Sequence, residues 1–493
     1  MAKRLFLFGI GGTGARVIKS LILMFASGCK LPEIGTVVPI LIDPDTSNGD
    51  LNRTKDILRL YQSIRANIDN PNDFFRQDVK TINELTKEGA EINPEYFQFE
   101  LKDTHDSKFK DFIGFNSLSE TDKYFLNLLY SDVNLDSDLD VGFKGNPHMG
   151  SMVLNQFTES DDFKKFAQIF TQGDGIFIVN SIFGGTGAAG FPLLLNTLRH
   201  KNSKIQNSIQ YRNAPIGGVT FLPYFKVEND EESEIKSDAF EEKAKMALNY
   251  YNRTIIKEGK LNSLYFLGQS GAPNIYENHE GKNKQKNKAH FLEVAGALAV
   301  FDYCKDLNHL MVEAGKAVNG TTIKEFGIER DKDVITFNEL YSSHQSMMKK
   351  NLTRFRFFSL YLSKGLNRAI DAASWTKNGK LLIKYDRTLL DNEFFKETVY
   401  RNYIVKFCDY FDEWIEELSN NQPSFAPFKR FVSIGNSLDL LASTEIKSKD
   451  GFKELDKHNA YTIDKIESSN AVTQLVKLFQ LSTKEVLEKN NII

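Results

Sequence analysis

At 493 residues the chain exceeds one ordinary domain and has length enough to bury a large core. Hydrophobic residues make up 41% and charged residues 26%, a balance that excludes wholesale disorder. A formal net charge of −3 excludes a global electrostatic pull toward nucleic acid or anionic lipid, so no nucleic-acid partner is expected.

Leu5-Phe6-Leu7-Phe8 reads as a strand, Gly9-Ile10-Gly11-Gly12-Thr13-Gly14 as a glycine loop, and Ala15-Arg16-Val17-Ile18 as the start of a helix. A second strand, Val37-Val38-Pro39-Ile40-Leu41-Ile42-Asp43, completes a βαβ unit with an expected right-handed crossover. The first strand begins by about residue 4, leaving no room for a signal peptide. The longest apolar stretch, residues 21–29, is too short to cross a bilayer, so no transmembrane segment is expected. Residues 47–140 turn polar and mostly helical and read as an insertion or helical cap.

Gly145-Asn146-Pro147-His148-Met149-Gly150 is turn-rich and precedes an expected helix over 151–170. The strand Gly175-Ile176-Phe177-Ile178-Val179-Asn180 then runs into Phe183-Gly184-Gly185-Thr186-Gly187-Ala188-Ala189-Gly190 and another helix. A strand over 214–222, an acidic loop over 228–234 and a helix with Ala244, Met246, Ala247 and Tyr250 on its apolar face follow. Leu264-Tyr265-Phe266-Leu267 is a short strand, separated by a polar loop over 270–288 from an alanine-rich, buried helix over 289–303. Residues 340–493 are helical in period, with a linker expected near 419–424. Cys29, Cys304 and Cys408 are far apart and form no CxxC pair, which fits a reducing cytoplasm better than a zinc site or disulfide framework.

The two glycine runs carry the chemistry. Each follows an apolar strand and opens a helix, where residues without Cβ let the backbone approach an anion and free N–H groups face it. The amides of Gly11, Gly12, Gly185, Thr186 and Gly187 are the expected phosphate donors, with Gly14 and Gly184 completing the loops. The hydroxyls of Thr13 and Thr186 can add to them. Gly9-x-Gly11-x-x-Gly14 alone also satisfies a dinucleotide-binding fingerprint, with Asp43 as the ribose acid, although its distance exceeds the usual ~20 residues. Neither loop ends in Gly-Lys-Ser/Thr, which excludes a Walker A loop. Asp43 and Asp45 flank Pro44, and either orient a hydrated Mg²⁺ or a sugar, or close an Asx-turn.

Taken together, the loops resemble those of the tubulin/FtsZ superfamily. Gly184 to Gly190 is similar to that family's GGTGSG-type phosphate loop, Gly9 to Gly14 to its first glycine loop, and Gly145 to Gly150 to its G-x-N-P-x-x-G loop. The resemblance covers roughly residues 3–305. It implies an α/β, tubulin-like (Rossmann-type) fold with a mostly parallel sheet flanked by helices. The nucleotide-binding domain would span 1–305 with a helical insertion at about 50–140, and a mainly helical region would span 306–493.

The same resemblance implies GTP or GDP as ligand, held with Mg²⁺, with Gly145 and Asn146 facing the γ-phosphate. Arg16 stands where the family carries a guanine-reading asparagine, leaving Asn287 and His290 as the candidate base contacts. His290, at a helix start, also reads as a capping residue. In family polymers an acidic loop completes hydrolysis in the next subunit. The local match is Asp333-Val334-Ile335-Thr336-Phe337-Asn338-Glu339-Leu340, with Thr336 at the first acidic position and Glu339 as the expected catalytic residue. That stretch also reads as a strand followed by a helix N-cap. A cytoplasmic, nucleotide-dependent assembly or switch protein follows, with head-to-tail self-association, slow GTP hydrolysis and a helical C-terminal region available to a protein partner. An NAD(P)-dependent oxidoreductase and a nucleotide-free interaction scaffold are the alternatives.

Overall fold

Unbroken apolar runs, as opposed to alternating ones, mark strands that are covered on both faces. Such runs form the central strands of one seven-stranded sheet, with more polar strands at its edges, in the computed structural model, which describes residues 3–86, 91–201, 205–230, 235–269, 271–279, 281–327, 333–370, 372–376, 388–444, 449–468 and 470–493. The strands are β1 (Lys3–Ile10), β2 (Ile34–Ile42), β3 (Asp78–Val79), β4 (Gly175–Ser181), β5 (Ile216–Phe221), β6 (Ser263–Gly268) and β7 (Thr322–Gly327). Their spatial order is β7-β6-β5-β4-β1-β2-β3, and every pairing is parallel. This is the expected α/β architecture, a parallel sheet flanked by helices.

Strand order reverses between β1 and β4, whose registers pair Leu5 with Gly175 and Gly9 with Val179. Helix α1 (Gly11–Ala26) leads from β1 toward β2 in one direction. A second helix, residues 185–199, leads from β4 toward β5 in the other. Right-handed crossovers running in opposite directions place these helices on opposite faces and leave a crevice at the carboxyl ends of β1 and β4. Both glycine loops occupy those ends.

Helix α2 (Gly49–Ala66) and β3 are integral to this layer, which corrects the reading of 50–140 as one insertion. The inserted material begins after Val79 and consists of short helices and turns. The polar character of α2 misleads because its polar residues are buried in partnerships: Thr54 donates to the Ala15 carbonyl, and Gln62 to that of Val79. Of the expected acidic loop at 228–234, residues 231–234 lie outside the described residues.

Continuing in chain order, α3 is Pro147–Leu154, α4 is Gly185–Arg199, α5 is Asp238–Tyr251 and α6 is Phe291–Asp306. The C-terminal region supplies α7 (Ser342–Leu360), α8 (Lys406–Ser419) and α9 (Ala471–Lys489). Of these, α7 packs onto α1, α8 onto α2, and α9 onto α7. Trp414 Nε1 donates to Ser20 Oγ at 3.2 Å, and Arg354 holds Asp73 at 2.6 Å. Phe75 meets Phe355 and Phe407 with ring centroids 5.9 and 5.3 Å apart. Much of the chain's abundant phenylalanine is therefore core.

The stretch near 419–424 is docked. Asn421 is buried and donates to the Ala289 carbonyl, while Gln422 N–H donates to Asn274 Oδ1 at 2.9 Å. Ser424–Phe425 pairs in parallel with Val334–Ile335. A flexible linker is thus not what these residues form.

Candidate functional site

Helix α1 starts at Gly11 behind Ile10, and α4 starts behind Gly184; neither N-cap residue places a side chain on the first-turn amides. Two helix starts with uncapped N–H groups therefore open on one crevice, an arrangement suited to an anion. Gly11 adopts φ +73°, a left-handed conformation that disfavours other residues. A Cβ added to it would lie 3.6 Å from Thr186 Cβ and 3.7 Å from Gly187 N, so the two loops face each other directly.

Other glycines in these loops serve packing. A Cβ on Gly14 would sit 2.5 Å from the Gly9 carbonyl carbon, and one on Gly187 would sit 2.6 Å from the Ser181 carbonyl oxygen. Gly12 differs: its Cβ would meet only Arg16 Nη1 at 3.4 Å and Asp50 Oδ2 at 3.7 Å.

The third loop joins them. A Cβ on Gly185 would be 3.2 Å from the backbone nitrogens of both Gly145 and Asn146, and Gly145 lines the cleft. Asn146 itself is turned inward as the N-cap of α3, its Oδ1 accepting from His148 N at 3.0 Å and Met149 N at 3.4 Å. Its carboxamide oxygen therefore fixes the loop, and Gly145 provides the cleft surface.

Asp43 and Asp45 form the Asx-turn around Pro44: Asp43 Oδ1 accepts from Asp45 N at 3.1 Å. Asp45 Oδ1 accepts from Ser47 N and Oγ at 3.0 and 2.9 Å, and its Oδ2 accepts from Lys282 N at 2.6 Å. The Asp45 carboxylate is thus committed to the chain and does not fit a metal ligand. Asp43 Oδ2 has no partner among the described residues. Burial, and then the Asp45 carboxylate, push the Asp43 carboxyl up to about 8. No three His, Cys, Asp or Glu side chains gather as a metal cage among the described residues.

Arg16, placed where a base reader would stand, is buried and fully engaged. Its Nη1 holds Asp50 Oδ2 at 2.6 Å and its Nε holds Glu293 Oε1 at 2.5 Å. Nη2 donates to Tyr224 OH at 2.8 Å and to Thr13 Oγ1 at 3.3 Å, and Tyr224 OH in turn donates to Glu293 at 2.9 Å. Thr13 is drawn into the same network, its hydroxyl also hydrogen-bonding the Tyr224 side chain. Arg53 continues the network, contacting Asp50 at 3.3 Å and Glu417 at 2.6 Å, and Lys19 reaches Glu417 at 3.4 Å. Arg16, Lys19 and Arg53 thus face Asp50, Glu293, Glu417 and, at 3.6 Å from Arg53, Glu413.

His290 is a correction to the base-contact reading. It is wholly buried as the N-cap of α6, with Nδ1 accepting from Leu292 N at 3.1 Å and Glu293 Oε2 accepting from His290 N at 3.1 Å. Burial, then Arg16, hold its ring neutral with a pKa lowered to about 3. Asn287 does line the cleft; its backbone is tied to Asp50 and Arg53, and its carboxamide has no partner among the described residues.

Glu339 is exposed and lies outside the cleft. With Thr336 it forms a capping box on a short 3₁₀ turn, accepting from Thr336 N at 2.7 Å and Oγ1 at 2.8 Å. The strand-and-cap reading of that segment is what the structure contains. Residues that sequence pattern leaves hidden include Asp50, Tyr224 and Glu293, and also Phe143 and Phe240 on the cleft wall.

No family model matches this chain, and no curated protein matches it. Among solved structures it is similar to CetZ2 from Haloferax volcanii, described as a GTPγS-bound protofilament, with 13% identity and a TM-score of 0.28. The match covers 65% of this chain and 64% of that one, just under two thirds of CetZ2. So distant a likeness carries no weight for function. The parallel sheet, its switch point and the three loops there stand on their own geometry.

Proposed function

We propose that this chain is a tubulin/FtsZ-like GTP-binding protein that acts as a nucleotide-dependent assembly or switch protein. One observation carries the reading: three loops that resemble that family's nucleotide loops, separated widely in the chain, meet at the switch point. Gly11 lies against Thr186 and Gly187, and Gly185 lies against Gly145 and Asn146. The uncapped amides of α1 and α4 would hold the phosphates, with the Thr186 hydroxyl adding a donor. Asn287, whose carboxamide both donates and accepts, is the side chain suited to a guanine edge.

Mg²⁺ would be held chiefly by the phosphates and water, as this ion prefers, with Asp43 Oδ2 the oxygen of the acidic turn that could hold one of its waters. The ion would neutralise phosphate charge there. Hydrolysis would be slow and completed by Glu339 of a second copy in a head-to-tail contact, leaving the helical C-terminal region for another partner.

The test is the identity of the nucleotide in protein extracted without added ligand, followed by calorimetry with GTP, ATP and NAD. Retained guanine nucleotide, and tighter GTP than ATP binding, are expected. A retained nicotinamide would replace this reading with an oxidoreductase. Binding of no nucleotide would replace it with a scaffold.

A further inference from the structure

One cation borders the cleft through Gly145, a residue of the cleft wall, with no carboxylate beside it among the described residues. Lys243 lies on α5, one turn after Phe240, which lines the cleft and packs on Phe183 at a centroid distance of 5.1 Å. The Lys243 side chain is half-buried, and its Nζ donates to the Gly145 carbonyl at 2.9 Å. It makes no ion pair among the described residues. A Cβ on Gly145 would lie 3.1 Å from that Nζ, and one on Gly185 would lie 3.2 Å from Gly145 N, so the ammonium borders the junction of two loops.

An ammonium carries three donors, and the Gly145 carbonyl takes one of them. Arg16, Lys19 and Arg53, in the network beside the cleft, all face carboxylates, and Lys144 on the cleft wall has an interaction of its own. Burial without an anion lowers the Lys243 pKa, which is the signature of a charge lacking its counter-ion.

We infer that Lys243 contacts the terminal phosphate of a bound nucleoside triphosphate and sets preference for triphosphate over diphosphate. The inference rests on the nucleotide reading of the cleft. Its logic is that a terminal phosphate beside Gly145 supplies the missing counter-ion, and that a diphosphate, one group shorter, leaves the ammonium on the Gly145 carbonyl. Because Lys243 and Phe240 share one face of α5, occupancy of the terminal position would be felt by that helix.

The experiment is calorimetry with GTP and GDP on the full chain and on Lys243→Met and Lys243→Arg, each checked for an unchanged unfolding midpoint. Lys243→Met should weaken GTP by about tenfold or more while GDP changes less than about twofold, and Lys243→Arg should retain most of the preference. Equal losses for both nucleotides, or no loss, in a full chain that binds both would overturn the role of Lys243 alone. A wild-type chain that binds neither would overturn the nucleotide reading and this inference together.

Discussion

Asp50 Oδ2 and Arg16 Nη1 meet at 2.6 Å beneath Gly12, both side chains almost wholly buried. Arg16 also carries Glu293, so its removal would strand two buried carboxylates. Arg16→Met should therefore destabilise the chain by about 3–5 kcal/mol, the usual consequence of breaking a buried pair from one side. Urea unfolding measures it. The combined Arg16→Met and Glu293→Gln variant should lose less than the sum of its parts, and strict additivity would dissolve the claimed coupling.

Glycine substitutions should separate phosphate binding from packing. At Gly12 a small side chain meets only the polar ends of Arg16 and Asp50, whereas at Gly187 a Cβ strikes the Ser181 backbone. Gly12→Ser should weaken GTP by about tenfold, or ~1.4 kcal/mol, with little change in unfolding midpoint. Gly187→Val should lower the midpoint itself. Full GTP affinity in a folded Gly12→Ser chain would take the first loop out of the site.

Asp43 makes stability depend on pH. Its folded pKa of about 8 lies above its unfolded value, so the folded chain holds a proton that the unfolded chain releases. That stabilisation is complete below about pH 4 and is lost as pH rises through the folded value. Asp43→Asn keeps an oxygen for the Asp45 amide and removes the penalty. It should raise stability at about pH 8 by on the order of 5 kcal/mol and change little near pH 4. Identical pH profiles for the two proteins would mean that Asp43 ionises normally.

Glu339→Ala should leave GTP binding intact and reduce turnover that rises with protein concentration. It should cost at most about 1 kcal/mol of stability, since the lost capping box is exposed. Light scattering and phosphate release over a concentration series test both. Turnover that is independent of concentration and unaffected by the substitution would leave a solitary nucleotide switch.

The placement of the glycine loops between a strand and a helix was legible in the sequence because it is local: glycine spacing there fixes where backbone amides point. The Arg16 to Glu293 contact, 277 residues apart, has no such local signature. Asn146 and His290 look like ligand contacts but cap helices, and two signals expose them. Asn146 is followed by Pro147 at the first helical position, and His290 precedes Glu293 at capping-box spacing. Strand β7 escaped notice because Thr322-Ile323-Lys324-Glu325 mixes polar and apolar residues at a sheet edge. Helix α2 looked peripheral because its polar side chains find their partners only in distant parts of the fold, as Arg53 does with Glu417.

Every cation of the Arg16, Lys19 and Arg53 network faces a carboxylate. On the nucleotide reading of the cleft, attraction for an anion would therefore arise at short range, from peptide amides at two helix starts and from the nearby ammonium groups of Lys144 and Lys243. Dissolved ions screen such fields poorly over a few ångströms, although they suppress long-range steering efficiently. Raising ionic strength should consequently slow ligand capture little and leave residence time nearly untouched, a behaviour opposite to that of an open basic groove.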